Sequence, residues 1–568
     1  MTVGRAPGRS QAGPHPLGGS IAVPGDRGAH TLSLGGSIAA PGDRGTNTLS
    51  LSLVSHTNAG KTTLARTLLG RDVGTVRDAP HVTEFADVFT MLETPQGEQL
   101  LLWDTPGFGD SVRLVKRLRA SGNPLGNPLG WFMSEVWDRW RDRAFWASQQ
   151  AMRNVRDEAD VMLYLVNASE APEAAGYVKP EMELLGWIDK PVIVLLNQLG
   201  APTDSALEAA ELERWRGHLA PHPQVRAVLP LDAFARCWVQ EGTLLSAIEA
   251  VLAGERRALM QRLHAAWRAQ RQHTFDAAMQ SLAHSLARLA GAAERVPDAG
   301  SFNARLRQVG SAIGIATGMK ASEQTPTGLA QKALAQRLDA EVRASTGELI
   351  ALHRLEGQAQ GEILTRLATH FEMRLRLDEG KAALWGGMVS GALVGLKADI
   401  LSGGLTLGGG LLAGGLIGAL GAAGLARCVN LVRGTDQSWV AWNAQALDQM
   451  LEAALLRYLA VAHFGRGRGD WAQGESPPHW RDVIQRALEP QREAISLVWS
   501  ERDARGDGDN SGNAEPEAER LSAAALQPIV AQAAMDALRI LYPGAVPETL
   551  QDAPPLRENA QPGPQASQ

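Results

Sequence analysis

Ser55-His-Thr-Asn-Ala-Gly-Lys-Thr62 follows a run of alternating Leu and Ser and precedes the helical run Thr63–Leu69. A loop of this composition between a strand and a helix can wrap main-chain N–H groups around phosphate oxygens at the helix N-terminus. The nucleotide-binding stretch is Asn58, Ala59, Gly60, Lys61, Thr62 and Thr63. Gly60 permits the close turn, Lys61 reaches the β- and γ-phosphates, and the Thr62 hydroxyl binds Mg²⁺. Ser55 stands where the strict pattern has its first Gly.

Asp104-Thr-Pro-Gly107 comes 43 residues after Lys61, at the end of the apolar run LLLW. From there Asp104 can hold Mg²⁺ through water, and the Gly107 N–H can sense the γ-phosphate. Thr83, in the loop before the second strand, is placed to complete the metal shell. The expected chemistry is phosphoryl transfer to water, with Lys61, Thr83 and Gly107 as catalytic groups and Thr62, Thr83 and Asp104 as Mg²⁺ ligands. His56 and His81 flank these loops and could contact phosphate, though an exposed loop histidine is the commoner case.

These groups need a scaffold that brings several loops to one edge. Strands are predicted at Leu49–Val54, Phe85–Leu92, Gln99–Trp103, Asp160–Val166, Pro191–Leu196 and Ala227–Leu231, alternating with helical stretches. Near-continuous apolar runs such as VMLYLV suit strands covered on both faces. The expected fold is an α/β P-loop NTPase domain over residues 48–255, followed by a mainly α-helical region over 256–542. Long helices are predicted over Leu244–Val296 and Leu329–Leu377, with further helices from the Gly-rich stretch to about Leu541. Gly18–Leu34 is repeated as Gly35–Leu51, matching at 14 of 17 positions, and the second copy merges into the first strand; residues 1–47, rich in Gly and Pro, read as a disordered extension. Residues 503–519 read as a polar insert and 543–568 as a disordered tail.

The loop, Thr83 and DTPG together resemble the TrmE/Era-like branch of translation-factor-related GTPases, over about residues 48–250. The resemblance implies GTP with Mg²⁺ as cofactors. It places Asn58 where that branch carries an asparagine linked to potassium-activated hydrolysis, so K⁺ is an implied further cofactor; a tight loop conformation is the other reading of Asn58. The base-recognition motif reads Asn197-Gln198-Leu199-Gly200. Asn197 and Gln198 occupy the base-binding positions, but Gly200 replaces the carboxylate that accepts from guanine. Asp204, four residues further on, is a candidate substitute that loop geometry decides, and the last motif, Asp232-Ala-Phe, is equally degenerate. Phe108 stands where Ras-like enzymes have a water-orienting Gln, and a Phe cannot hydrogen-bond water. A slow or ATP-binding switch is therefore the alternative. RDVGTVRDAPHVTEF, DTPGFGDS and a Trp-rich insert further resemble bacterial GTPase-like proteins with a long C-terminal domain of unknown function.

Residues 112–150 form that insert, holding Trp131, Phe132, Trp137, Trp140, Phe145 and Trp146 among Arg139, Arg141 and Arg143. Either it presents a protein partner with a binding surface, or its aromatics pack against the sheet. Residues 382–426 form a Gly-rich apolar hairpin. Ile400–Ala426 is uncharged over 27 residues, at ~1.5 Å rise long enough to span a bilayer core of about 30 Å. Gly387/Gly391/Gly395 and Gly410/Gly414/Gly418 repeat at the spacing that lets helices approach closely. Membrane association and a tightly packed soluble hairpin both follow from this. A membrane-organising protein with a regulatory nucleotide domain is a second alternative.

The balance of 55 Lys+Arg and 61 Asp+Glu, net −6, gives no reason to expect nucleic acid as a partner. Two cysteines exclude a disulfide framework. The 13 His and two Cys show no zinc-ligand spacing. No secretion signal is read at the start, so the expected location is cytoplasmic, with the cytoplasmic face of a membrane as the extension the hairpin suggests.

Overall fold

A computed structural model describes residues 46–57, 59–70, 86–120, 143–197, 205–231, 237–296, 326–355, 429–433, 438–463, 479–506, 516–543 and 545. Six strands, β1 (Thr48–Ser55), β2 (Asp87–Glu93), β3 (Gln99–Asp104), β4 (Val161–Asn167), β5 (Val192–Asn197) and β6 (Val225–Pro230), form one sheet in the order β2-β3-β1-β4-β5-β6. All neighbours are parallel except β2, which runs antiparallel to β3. Each strand predicted from sequence lies in this sheet, with its ends shifted by at most two residues.

β1 shows why the sheet needs cover on both sides. Leu49, Leu51 and Leu53 are buried on one face with Leu64, Leu100, Leu163 and Ile193. The alternating serines face the other side, yet Ser52 is buried too and its hydroxyl donates to Asn154 Oδ1 at 2.7 Å. A Leu/Ser alternation would ordinarily mark a half-exposed strand; here the polar face is covered by a helix that supplies the partner.

Helix α1 (Lys61–Leu69) lies on the leucine face, joined there by α6 (Trp238–Val251) and the first half of α7 (Gly254–Gly291). The opposite face is covered by α2 (Ser111–Ala120), α3 (Arg143–Glu158), α4 (Val178–Gly186) and α5 (Ser205–Leu219), which bury Leu114, Phe145, Met152, Met182 and Trp215 against Met162, Tyr164 and Val194.

The second core is helical. The later half of α7 packs with α8 (Pro326–Leu352), α9 (Ala444–Ala462), α10 (Trp480–Leu488), α11 (Arg492–Gly506) and α12 (Pro516–Leu541). By length and composition α12 could cross a bilayer, but half of its most apolar window is buried, and it runs along α7 as a core helix. Three short strands stand among the helices: β7 (Ala293–Arg295), β8 (Val429–Arg433) and β9 (Ser438–Trp442), antiparallel in the order β7-β9-β8. Two sequence expectations are corrected here. The helix expected over Leu244–Val296 is broken at Leu252–Ala253, both extended, and gives way to β7. Strands, not helices, open the segment after residue 428. β7 pairs with β9 over 140 residues away, as Glu294 opposite Val440 shows, so local periodicity carries no trace of that pairing, whereas β8 pairs with the adjacent β9, Arg433 opposite Ser438.

α7 belongs to both cores. Leu259, Met260, Leu263 and Trp267 pack under the six-stranded sheet, while Phe275, Met279, Leu282 and Leu286 enter the helical core. The core of the sheet thus continues past residue 255. The Gly-rich hairpin at 382–426, the repeat extension, the tail and all of the Trp-rich insert between α2 and α3 lie outside the described residues. So does the middle of the polar insert, whose two ends belong to α11 and α12.

Candidate nucleotide site

The carboxyl ends of β1, β3, β4 and β5 meet along one edge of the sheet. Leu53 is paired with Asp104, Ser55 with Leu165, and Asn167 with Asn197. β1 sits centrally, between β3 and β4, where loops leaving neighbouring strands diverge and open a crevice. The loop from Ser55 to Gly60 rises from this point and enters α1. Gly60 stands at the N-cap with φ 88°, a left-handed conformation that disfavours any residue with a Cβ. α1 has no side-chain cap and no acidic residue in its first turn, so the N–H groups at its positive end are left for an anion.

Lys61 is 8% exposed and its Nζ donates to Ser55 Oγ at 2.9 Å. Burial lowers its pKa, while the negative charges of Asp104 and Glu181 pull it back up. A buried ammonium so placed gains most from a phosphate. Thr62 Oγ1 donates to Asp104 Oδ2 at 2.6 Å, bringing two hard oxygen donors together across 42 residues. The other oxygen of Asp104, Oδ1, is buried without a hydrogen-bond partner. Burial pushes the Asp104 carboxyl up to about 6, against the Thr62 hydrogen bond and Lys61. An orphaned carboxylate oxygen beside a hydroxyl, both hard donors, fits a small divalent cation of the Mg²⁺ type. Such an ion would reverse the burial penalty on Asp104 and neutralise phosphate charge.

Gly107 is pressed against the loop. A Cβ there would meet Thr57 Cα at 3.0 Å and Lys61 Nζ at 3.1 Å, so a side chain would invade the phosphate position. The next residue is anchored by main chain: Phe108 N donates to Ser55 O at 2.8 Å, and Thr57 N donates to Phe108 O at 3.2 Å. The Phe108 ring is fully buried among Leu114, Phe145 and Tyr164 and faces away from solvent. At Gly109 a Cβ would lie 2.5 Å from Ala144 Cβ, and its N–H donates to Ser148 Oγ at 3.1 Å. The segment after Asp104 is therefore clamped between the phosphate loop and α3.

Lys61, Thr62, Asp104 and Gly107 are thus brought together as the spacing predicts. Asn197, at the end of β5, joins them indirectly: its amide donates to Ala59 O at 2.9 Å and ties β5 to the phosphate loop. Ala59 and Thr63 are buried, Thr63 within the first turn of α1. Asn58, Thr83, His81, Gln198, Asp204 and Asp232 lie outside the described residues. Phe145, the described aromatic of the insert that is fully buried, packs in the sheet core under the Arg113 guanidinium at 4.4 Å.

Sequence reasoning passed over one cluster. His56 is not a solvated loop residue: its Nδ1 lies 2.7 Å from Glu181 Oε1, and its ring stacks on Tyr177 at 4.6 Å. Glu181 is fully buried and also accepts from Tyr164 OH at 2.7 Å. The signal available beforehand was a carboxylate interrupting the apolar stripe Val178, Met182, Leu185 of α4.

A family model described as a domain of unknown function, DUF3482, matches residues 220–527, more than half of the chain. The chain belongs to the DUF3482 family. A second model, described as a 50S ribosome-binding GTPase, matches residues 50–198, the part of this DUF3482 protein that carries the site. With the loop geometry above, that part is a P-loop GTPase domain. Among solved structures, similarity is found to Era in complex with MgGDPNP and a segment of 16S ribosomal RNA, at 17% identity over 37% of this chain and 58% of that one, TM-score 0.27. It extends to a variant of Aquifex aeolicus Era bound to GDP and AlF4⁻, at 18% identity over 53% and 90%, TM-score 0.24. A bacterial selenocysteine-specific elongation factor follows at 15% identity over 36% and 28%, TM-score 0.23. The DUF3482 protein thus spans 58% of the length of the first of these chains. No curated protein matches it significantly.

Proposed function

We propose that this DUF3482 protein is a Mg²⁺-dependent switch that binds and hydrolyses GTP and passes its nucleotide state to the helical region. One observation carries the reading: the hydrogen-bonded Thr62–Asp104 pair, with the buried Asp104 Oδ1 unpartnered, beside the buried Lys61. Lys61 and the uncapped first turn of α1 would hold the phosphates, and Thr62 and Asp104, with Thr83, would hold the metal. The metal supplies charge neutralisation on the β- and γ-phosphates. Gly107 would place its N–H against the γ-phosphate, so that loss of this group releases the segment from Asp104 to Ser111.

Two features support transmission through α7. It contributes to both cores, and its Arg262 pairs with Glu98 beside the sheet at 2.6 Å, while Trp238 of the neighbouring α6 donates through Nε1 to Tyr458 OH of α9 at 3.3 Å. The test is calorimetric binding of GTP and ATP, each with and without Mg²⁺, combined with phosphate release in K⁺ or Na⁺. GTP binding that requires Mg²⁺, with slow release of phosphate, is the expected result, and faster release in K⁺ would support a role for Asn58. ATP bound as tightly as GTP would favour the alternative raised by Gln198 and Gly200. Binding of neither nucleotide would remove the proposal.

Membrane association through residues 382–426 is a second proposal, supported by the 27 uncharged residues Ile400–Ala426 and the two glycine repeats.

A further inference from the structure

Glu181 is a carboxylate in a place where a leucine would serve packing better. It lies on α4 in line with Val178, Met182 and Leu185, all buried, and it is itself fully buried. Burial raises its pKa, against the hydrogen bonds it receives from His56 and Tyr164. A buried carboxylate is costly unless each oxygen is paired, and here each is: Oε1 with His56 Nδ1 and Oε2 with the Tyr164 hydroxyl, both at 2.7 Å. Tyr164 stands beside Val54 on β4, so one carboxylate joins the phosphate loop, the central sheet and α4.

What the carboxylate holds is specific. His56 is the residue between Ser55 and Thr57, whose carbonyl and N–H make the two main-chain bonds to Phe108. The imidazole is the side chain of that bridge. It is fixed at Nδ1 by Glu181 and on its face by Tyr177. Phe108 in turn follows Gly107 directly. Setting the His56 ring therefore sets the peptide on which the γ-phosphate contact depends, in a protein whose Phe108 ring is buried and cannot itself orient water.

We propose that Glu181 is a positioning residue, acting through His56 to hold the Ser55–Thr57/Phe108 bridge in register and thereby Gly107 in place for hydrolysis. The inference rests on the hydrolytic reading above. Lys61 donates to Ser55 and Thr62 to Asp104, and Glu181 reaches Lys61 through the Coulombic pull of its charge, so hydrolysis should suffer more than binding.

Two measurements on the full chain test this, and the first needs no nucleotide. Hydrogen exchange of the Thr57 and Phe108 amides in Glu181→Gln should be about tenfold faster than in the natural protein, with Leu163 in the sheet core unchanged. Unchanged exchange at the bridge, or equal acceleration at Leu163, would overturn the proposal whatever the protein does with GTP. In the second measurement Glu181→Gln should keep its GTP Kd within about twofold while kcat falls about tenfold. A matched loss of affinity and rate, or no loss of rate, would overturn it. His56→Ala guards against a misfolded Glu181 variant: it should show the same split, and His56→Asn, whose amide can still donate to Glu181, should recover most of the lost rate. Failure of His56→Asn to do better than His56→Ala would also count against the proposal. Absence of GTP turnover in the natural protein would instead remove the hydrolytic reading, leaving the exchange result to decide the positioning role.

Discussion

The side-chain amide of Asn197 donates to the carbonyl of Ala59 at 2.9 Å, joining the end of β5 to the phosphate loop 138 residues earlier. Asn197 is fully buried. One residue at the base-recognition position is thus committed to the shape of the loop that binds phosphate. Asn197→Ala should weaken nucleotide binding through the loop, since a buried carbonyl loses its donor at a cost of about 1–3 kcal/mol. The weakening should be the same for GTP and ATP in parallel titrations. A selective loss of GTP would assign Asn197 to the base instead.

Lys61→Ala should lower GTP affinity by about 100-fold, the loss of a charge-assisted contact made in a buried site. The nucleotide-free protein should not lose melting temperature, because burial already disfavours the Lys61 ammonium. Calorimetry and a thermal melt on the same sample check both halves. Unchanged affinity in a folded variant would remove Lys61 from the phosphate site.

Asp104 gives a prediction with a definite sign in pH. Its carboxyl is raised from 3.8 to about 6 in the folded protein, so between these values the folded state binds the proton more readily than the unfolded state. Without metal, stability should therefore rise as pH falls through about 6, and the full penalty is present above it. Asp104→Asn should stabilise the nucleotide-free protein above pH ~6, by up to about 3 kcal/mol, and give no gain near pH ~4. The same substitution should abolish the Mg²⁺ dependence of GTP binding. Melts across this range with chelator present test the first part, and a destabilised variant at neutral pH would contradict it.

Phe108→Gln restores the residue type that orients water in related enzymes, but the side chain at this position is buried under α2 and α3. The substitution should cost about 3 kcal/mol, from a lost aromatic and a buried amide, and should not accelerate phosphate release. A rate gain without loss of stability would mean that residue 108 can turn outward.

The sequence made the sheet legible because its strands are continuous apolar runs, and it made Lys61, Thr62, Asp104 and Gly107 legible because their chemistry depends on fixed spacing. Glu181 and Tyr164 were not legible. Their value lies in Glu181 meeting His56 across 125 residues while Tyr164 donates to its other oxygen, and neither carries a motif. The Leu/Ser alternation of β1 is ordinarily that of a half-exposed strand, and Asn154 on α3 supplies the partner that lets Ser52 be buried. The pairing of β7 with β9 was missed for the same reason, since its two strands are distant in the chain; β8 pairs with the adjacent β9 in a stretch where helix was expected.

The last prediction concerns where the GTPase domain can be cut. Strand-helix alternation ends near residue 250, which makes that the boundary suggested by sequence. In the folded protein Leu259, Met260, Leu263 and Trp267 of α7 cover the same face as Leu49, Leu51 and Leu53. Arg256 anchors the start of that helix on Asp160 at 3.5 Å, and Arg262 on Glu98 at 2.6 Å. Removing four such side chains uncovers apolar surface worth about 1.5–3 kcal/mol each, a large share of the stability of a domain this size. A chain of residues 46–251 should aggregate or melt well below one of residues 46–272, which keeps the first half of α7 and ends before Phe275 enters the helical core. Side-by-side expression, gel filtration and thermal melts of the two make the comparison. Equal solubility and equal melting temperature would show that α7 belongs to the helical region alone, and would remove the structural basis for passing nucleotide state along it.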